Sequence, residues 1–299
     1  MRTALALALA VALAPAARAD DPVTLKWNLK EGETLFAKGV TNMDMTMGIL
    51  GMDVEMKMKM TGVQRYKILS VKQGETQIEM TILAMEMKMD AAGMELPGLG
   101  DVNDKLKGAT VTAILNDEFE VKKIEGRKKF IEKIAGDDKM MKQMLEAQFS
   151  DAALGQMVTQ VFAFAPKKPI KVGETWNRTD KMPAGGIGEA EVKQKFKLDS
   201  VKGDIANLTI DADMKFKQGD GGLPGLPEGV KISKFDLKAD KFTGSAKFDT
   251  KLGRLIENKQ NMDLSGSISM SVAGQDVDVK MKIKSVTNST VTDKNPITD

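Results

Sequence analysis

Between residues 43 and 89 the chain alternates methionine with charged or polar residues. The runs are Met43-Asp44-Met45-Thr46-Met47, Met56-Lys57-Met58-Lys59-Met60 and Met85-Glu86-Met87-Lys88-Met89. A period of two puts every methionine of a run on one face of a β-strand and every charge on the other. The same pattern predicts a hairpin over residues 41–60 with Gly48-Ile49-Leu50-Gly51 at its tip, then a pair over 63–71 and 76–89 turning at Lys72-Gln73-Gly74-Glu75. Ile78, Met80 and Ile82 have one parity and Met85, Met87 and Met89 the other, so a β-bulge is expected near Leu83-Ala84. Leu25-Lys26-Trp27-Asn28-Leu29 also alternates and reads as a first strand. Leu96-Pro97-Gly98-Leu99-Gly100 reads as a breaker loop, and residues 109–124 as a hairpin turning near Asn116-Asp117.

From residue 127 the apolar spacing becomes helical. Phe130, Ile131 and Ile134 form one face; Met141, Met144 and Leu145 belong to a second segment that Asp137 could cap. Leu154, Val158 and Val161 belong to a third, capped by Ser150 or Asp151, before Pro166 and Pro169 end the region. Two or three short helices over residues 127–165 are therefore expected to pack on a sheet or cover an opening.

Strands resume at Ile170, and short motifs recur in the same order. Gly32-Glu33-Thr34 returns as Gly173-Glu174-Thr175, Tyr66-Lys67-Ile68 as Phe196-Lys197-Leu198, and Leu96-Pro97-Gly98-Leu99 as Leu223-Pro224-Gly225-Leu226. The hairpin from Gly108 returns from Gly244. This order predicts an internal duplication, with a first β unit at 20–165, a second at 166–292 and a frayed tail at 293–299. The last hairpin, through Val277-Asp278-Val279-Lys280-Met281-Lys282-Ile283, echoes the first methionine hairpin with Val and Ile at several Met positions. The fold class expected is mainly β (α+β): two copies of a curved antiparallel sheet or half-barrel with a short helical insert.

The start of the chain adds a location. Arg2, an apolar core over residues 4–14 and Ala17-Arg18-Ala19 match a secretory signal (residues 1–19) cleaved after Ala19. The apolar run is too short to span a bilayer, which takes roughly 20 residues. Periplasmic or extracellular residence is expected, with no transmembrane segment. No cysteine is present, which excludes disulfides, thiol catalysis and an acylated-cysteine anchor. The 44 Lys+Arg and 42 Asp+Glu balance once Arg2 and Arg18 leave with the signal, so nothing electrostatic draws the chain to nucleic acid.

The chain has no histidine, which removes the usual general base and the commonest metal ligand. Carboxylate pairs remain: Asp211/Asp213, Asp276/Asp278, Asp137/Asp138 and Glu189/Glu191. A hydrolase would need two of them facing each other across a cleft, and such pairs read more simply as solvated strand faces. Asp211-Ala212-Asp213 and Gly219-Asp220-Gly221-Gly222 lack calcium-loop spacing, and Gly185-Gly186-Ile187-Gly188 precedes no helix that could hold phosphate. No catalytic residue, metal site or cofactor is expected.

Methionine, 22 in all, is the anomaly. It can be plain core filling irregular space. It can be a soft-metal site for Cu(I), although sulfurs two residues apart on a strand sit about 7 Å from each other and a second strand would have to complete it. It can scavenge oxidant as sulfoxide. Or it can line a deformable apolar concavity, with Met56, Met58, Met60, Met85, Met87 and Met89 as the ligand-binding residues.

Lys30 to Thr34, Lys171 to Thr175 and the Gly-x-x-x-Phe-Asp-x-x-x-Gly-x-Leu hairpin from Gly244 to Leu255 resemble an uncharacterised family of secreted bacterial proteins, a resemblance that implies no activity. The long amphipathic strands with a few helices are more distantly similar in architecture to the half-barrel of bacterial lipoprotein carriers, which cup acyl chains under helices. The function expected is an exported, non-enzymatic protein that binds a lipid-like or peptide apolar ligand in a Met-lined concavity. The alternative is a structural or protein-interaction module of the envelope in which Met is only core.

Overall fold

The computed structural model describes residues 21–49, 51–91, 94–95, 104–162, 164–183, 188–218, 231–272 and 275–297. The signal segment, the loop at Leu96 to Gly100 with its echo at 223–226, and the glycine stretches at 185–187 and 219–222 lie outside these residues.

The strands are β1 (Thr34–Ile49), β2 (Met52–Lys72), β3 (Glu75–Ala91), β4 (Met94–Glu95), β5 (Thr110–Leu115), β6 (Val121–Glu125), β7 (Thr175–Pro183), β8 (Gly188–Lys202), β9 (Ile205–Gln218), β10 (Lys231–Asp249), β11 (Arg254–Val272) and β12 (Gln275–Thr292). The helices between β6 and β7 are α1 (Arg127–Ala135), α2 (Lys139–Gln148) and α3 (Asp151–Thr159). The fold is mainly β, as the alternation predicts. Among the described residues the strands form one antiparallel sheet in the order β6-β5-β3-β2-β1-β12-β11-β10-β9-β8-β7, with β4 added to β3. Both halves of the chain supply strands to it, joined where β12 lies between β1 and β11.

Local chemistry accounts for the turns. Gly32 and Gly173 hold φ of 81° and 89°, open to glycine at little cost. After each, the glutamate carboxylate accepts from a backbone N–H three residues back: Lys30 to Glu33 at 3.0 Å and Lys171 to Glu174 at 2.8 Å. Each turn is then clasped to the neighbouring strand, Gly32 to Ile68 and Gly173 to Leu198. The two turns are built alike. The bulge expected near Leu83-Ala84 is present: Val63 pairs with Ala84 and Gln64 with Ile82, so Leu83 is skipped. That one residue brings Met85, Met87 and Met89 to the same face as Ile78, Met80 and Ile82.

Two local expectations change. Asp138, not Asp137, caps α2, accepting from the Met141 N–H at 2.9 Å; it is the residue immediately before the first helical turn. Ser150 caps α3 as expected. The stretch Leu25 to Leu29 is not a sheet strand. Its backbone ties to the rest include a bridge from Val23 to Ile170 and a bond from the Asn28 N–H to the Gly253 carbonyl. Leu25 and Trp27 are 1% and 4% exposed. The alternation is real, but the segment is a plug in the core.

The sheet must curl. Eleven strands at about 4.8 Å spacing would hold the edges of a flat sheet roughly 50 Å apart. Yet α3, about 10 Å wide, contacts both edge strands, β6 and β7. A large core fills the curl at the helix end. Trp27 packs edge-on against Phe162 at 4.8 Å and Phe248 at 6.1 Å, while Tyr66 meets Phe162 at 5.5 Å. Ile78 and Leu115 from one limb share this cluster with Phe196, Leu208 and Phe248 from the other.

Candidate functional site

The inner face has two zones. At the end filled by the helices and the plug, Leu35, Tyr66, Ile68, Ile78 and Met80 are at most 1% exposed. Farther along the same strands, on the same face, stand the methionines. Met58 faces Met89 and Met60 faces Met87 across β2 and β3; Met85 lies opposite Gly62 and Met56 opposite Ala91. Met43 and Met45 of β1 face Met58 and Met56. All six expected residues thus lie side by side. Each is half-buried, while the intervening Lys57, Lys59, Glu86 and Lys88 are exposed. The charged face carries its own pairing, such as Lys88 to Glu86 at 3.1 Å.

The methionine zone does not end with β1. Met45 stands opposite Ile283, Ile283 opposite Leu264, and Met262 opposite Phe242. Met214, Val192, Ala190 and Leu264 form a second buried cluster, against which Phe216, Phe242, Met262 and Ile283 pack. The lining therefore runs from β3 through β12 to β8, far beyond the six methionines singled out from the alternation. The alternation flagged the stretch through Ile283 only as an echo of the first hairpin; Val192, Met214 and Phe242 were missed because isolated apolar residues in alternation look like any strand.

Two cavities flank α3. The larger, about 1280 Å³, opens at the seam between the sheet edges beside Trp27, Phe119, Trp176 and Lys167. Lys167 meets Glu118 at 2.6 Å, which draws the lysine pKa upward through that hydrogen bond. The smaller, about 590 Å³, lies beneath α3 against the inner face of β7 to β11. Neither is walled by the six methionines. Val121, Thr159, Arg178, Asp180 and Lys181 border both cavities. Arg178 donates through Nε to both carboxylate oxygens of Asp180, at 2.8 and 2.9 Å. Gln194 stands opposite Arg178 on β8. Asn258 Oδ1 is buried in the smaller cavity's wall without a hydrogen-bond partner.

The acidic pairs do not build a cleft. Asp211 and Asp213 are exposed on β9, and Glu189 and Glu191 pair with Lys181 and Lys193 at 3.6 and 3.3 Å. Asp278 accepts from the Ser269 hydroxyl, and Asp138 serves as the α2 cap. Among the described residues no three acids gather in a metal-holding group. No helix among them is long and apolar enough to cross a membrane.

A family model described as a family of unknown function (DUF6263) matches residues 64–255. No curated protein matches the chain. Among solved structures, a chain from a study of lipid–protein interactions in lipovitellin is similar at TM-score 0.49 and 8% identity, covering 90% of this chain and 26% of its own. This chain therefore spans about a quarter of that one's length. DynF from the dynemicin biosynthesis pathway of Micromonospora chersina follows at TM-score 0.21 and 9% identity, covering 89% and 84%. The outer membrane protein OprG from Pseudomonas aeruginosa is similar at TM-score 0.21 and 7% identity, covering 90% and 99%.

Proposed function

The chain belongs to this family of unknown function, matched over residues 64–255, and from that premise we propose that it is an exported, non-enzymatic binding protein for a lipid-like or peptide apolar ligand. The ligand lies along the methionine-lined inner face, contacting Met56, Met58, Met60, Met85, Met87 and Met89. One observation carries this reading: the inner face stays apolar well past the zone that the helices and plug bury, and its methionines there are half-buried. Burying a methionine fully is worth about 1.5–3 kcal/mol, so a ligand that finishes the burial of several has a sufficient driving force. Flexible thioether chains can fit more than one ligand shape.

Export is part of the proposal and rests on the signal-like residues 1–19. The absence of histidine and cysteine favours binding over catalysis. The test is native mass spectrometry of protein taken from its own exported fraction, with a titration of the stripped protein by cis-parinaric acid. A co-purifying apolar molecule and saturable fluorescence support the proposal. Bare protein that also leaves the probe unbound overturns it in favour of an envelope module with methionine as core.

A further inference from the structure

We infer that the cavity beneath α3 is a head-group pocket for a single-chain amphiphile with an uncharged hydroxyl- or amide-bearing head. The inference rests on the binding role proposed above and adds where the ligand's polar end sits and what it is. The cavity, about 590 Å³, falls within the range of about 300–1,000 Å³ usual for small-molecule sites. Its floor includes Met262, Phe242 and Met214, which belong to the same apolar lining that passes through Ile283 to Met45. A tail can therefore leave the pocket without crossing polar surface.

The polar walls define the head. Asn258, Gln260, Gln194 and Gln156 bring amides to the cavity. Asn258 Oδ1 is buried and unpaired, and a rotation of the side chain toward the cavity would let a ligand O–H or N–H satisfy it. A carboxylate or phosphate head offers that oxygen no donor. Among the described residues the cations in the wall, Arg178 and Lys181, are already ion-paired, with Asp180 at 2.8 Å and Glu189 at 3.6 Å. An anionic head would further lie near the Asp180 carboxylate. A hydroxyl or amide head meets none of these penalties.

The probes are 1-lauroylglycerol and laurate, which share one tail, each used below its aggregation concentration with the full mature chain. Affinities are measured for the wild type, for Asn258→Leu and for Gln260→Leu, with circular dichroism and urea unfolding to establish that each variant is folded. The expected wild-type result is at least a tenfold preference for the acylglycerol. In each folded variant that preference should fall to threefold or less, with laurate affinity unchanged. A smaller wild-type preference, or one that both substitutions leave intact, overturns the head-group assignment while apolar binding stands. If neither amphiphile binds while cis-parinaric acid does, the head-group assignment falls and apolar binding stands; if cis-parinaric acid is also left unbound, the binding role falls and this inference with it.

Discussion

Met45 on β1 stands directly opposite Ile283 on β12. Through that pair the methionine face of the N-terminal half continues into the aliphatic face of the C-terminal half. Ile283 in turn faces Leu264, so one apolar row crosses the junction of the two halves.

Charges placed on this apolar face should separate binding from folding. Met58→Glu combined with Met87→Glu should lower the affinity for cis-parinaric acid at least tenfold. Because both residues are only half-buried, the loss of stability should stay below the cost of a fully buried charge. Lys57→Glu with Lys59→Glu, on the outer face, should leave affinity within about twofold. Equal effects from the two double variants would contradict the assignment of faces.

The plug should dominate stability. Trp27 is 4% exposed, touches Phe162 and Phe248, and donates its indole N–H to the Phe162 carbonyl at 3.0 Å. Trp27→Ala should cost about 3–5 kcal/mol, as large-to-small changes in aromatic cores do. Urea unfolding measures it; a loss below about 1 kcal/mol would show that the limbs of the sheet hold together without the plug.

Gly155 lets α3 approach the sheet edge. A Cβ there would lie 2.9 Å from Val121 Cγ2, and a β-branched side chain has little room to turn away. Alanine gains up to about 1 kcal/mol of helix propensity but overpacks at about 1–3 kcal/mol. Gly155→Ala should therefore be destabilising by up to about 2 kcal/mol. Adding Val121→Ala should recover most of that loss in a double-mutant cycle, and no recovery would place the strain elsewhere.

Glu257 gives a pH signature. Its pKa is held below the ordinary carboxylate value, first by the hydrogen bond from Lys247 at 3.0 Å and then by Lys259 at 3.2 Å. A folded pKa below the unfolded one means the stabilisation is complete above the unfolded value, and is lost as pH falls through the folded value. The contribution belongs to the exposed-pair class, under about 1 kcal/mol. Glu257→Gln should therefore lie below the wild type in urea midpoint at pH 7, and the gap should narrow steadily as pH falls below the ordinary carboxylate value. A gap that does not change with pH would mean that the carboxylate's charge is not its source.

Much of this architecture was legible along the chain. Alternation placed Met58 and Lys59 on opposite faces, the parity switch after Ile82 marked the Leu83 bulge, and Ser150 marked the start of α3. These are local signals: a strand's period, a bulge and a cap depend on residues within a few positions of one another. Pairing partners are not local. Nothing in the alternation of Leu25 to Leu29 says that those residues enter the core instead of the sheet. Nor does the pattern of β12 say that it will sit between β1 and β11 and merge both halves into one curled sheet. The row from Met45 through Ile283, the two edges meeting at α3, and Asn258 brought to the same cavity as Arg178 arise from contacts between residues far apart in sequence. Periodicity tells a side chain which face it occupies, but what stands across from it is settled when the sheet closes around its core.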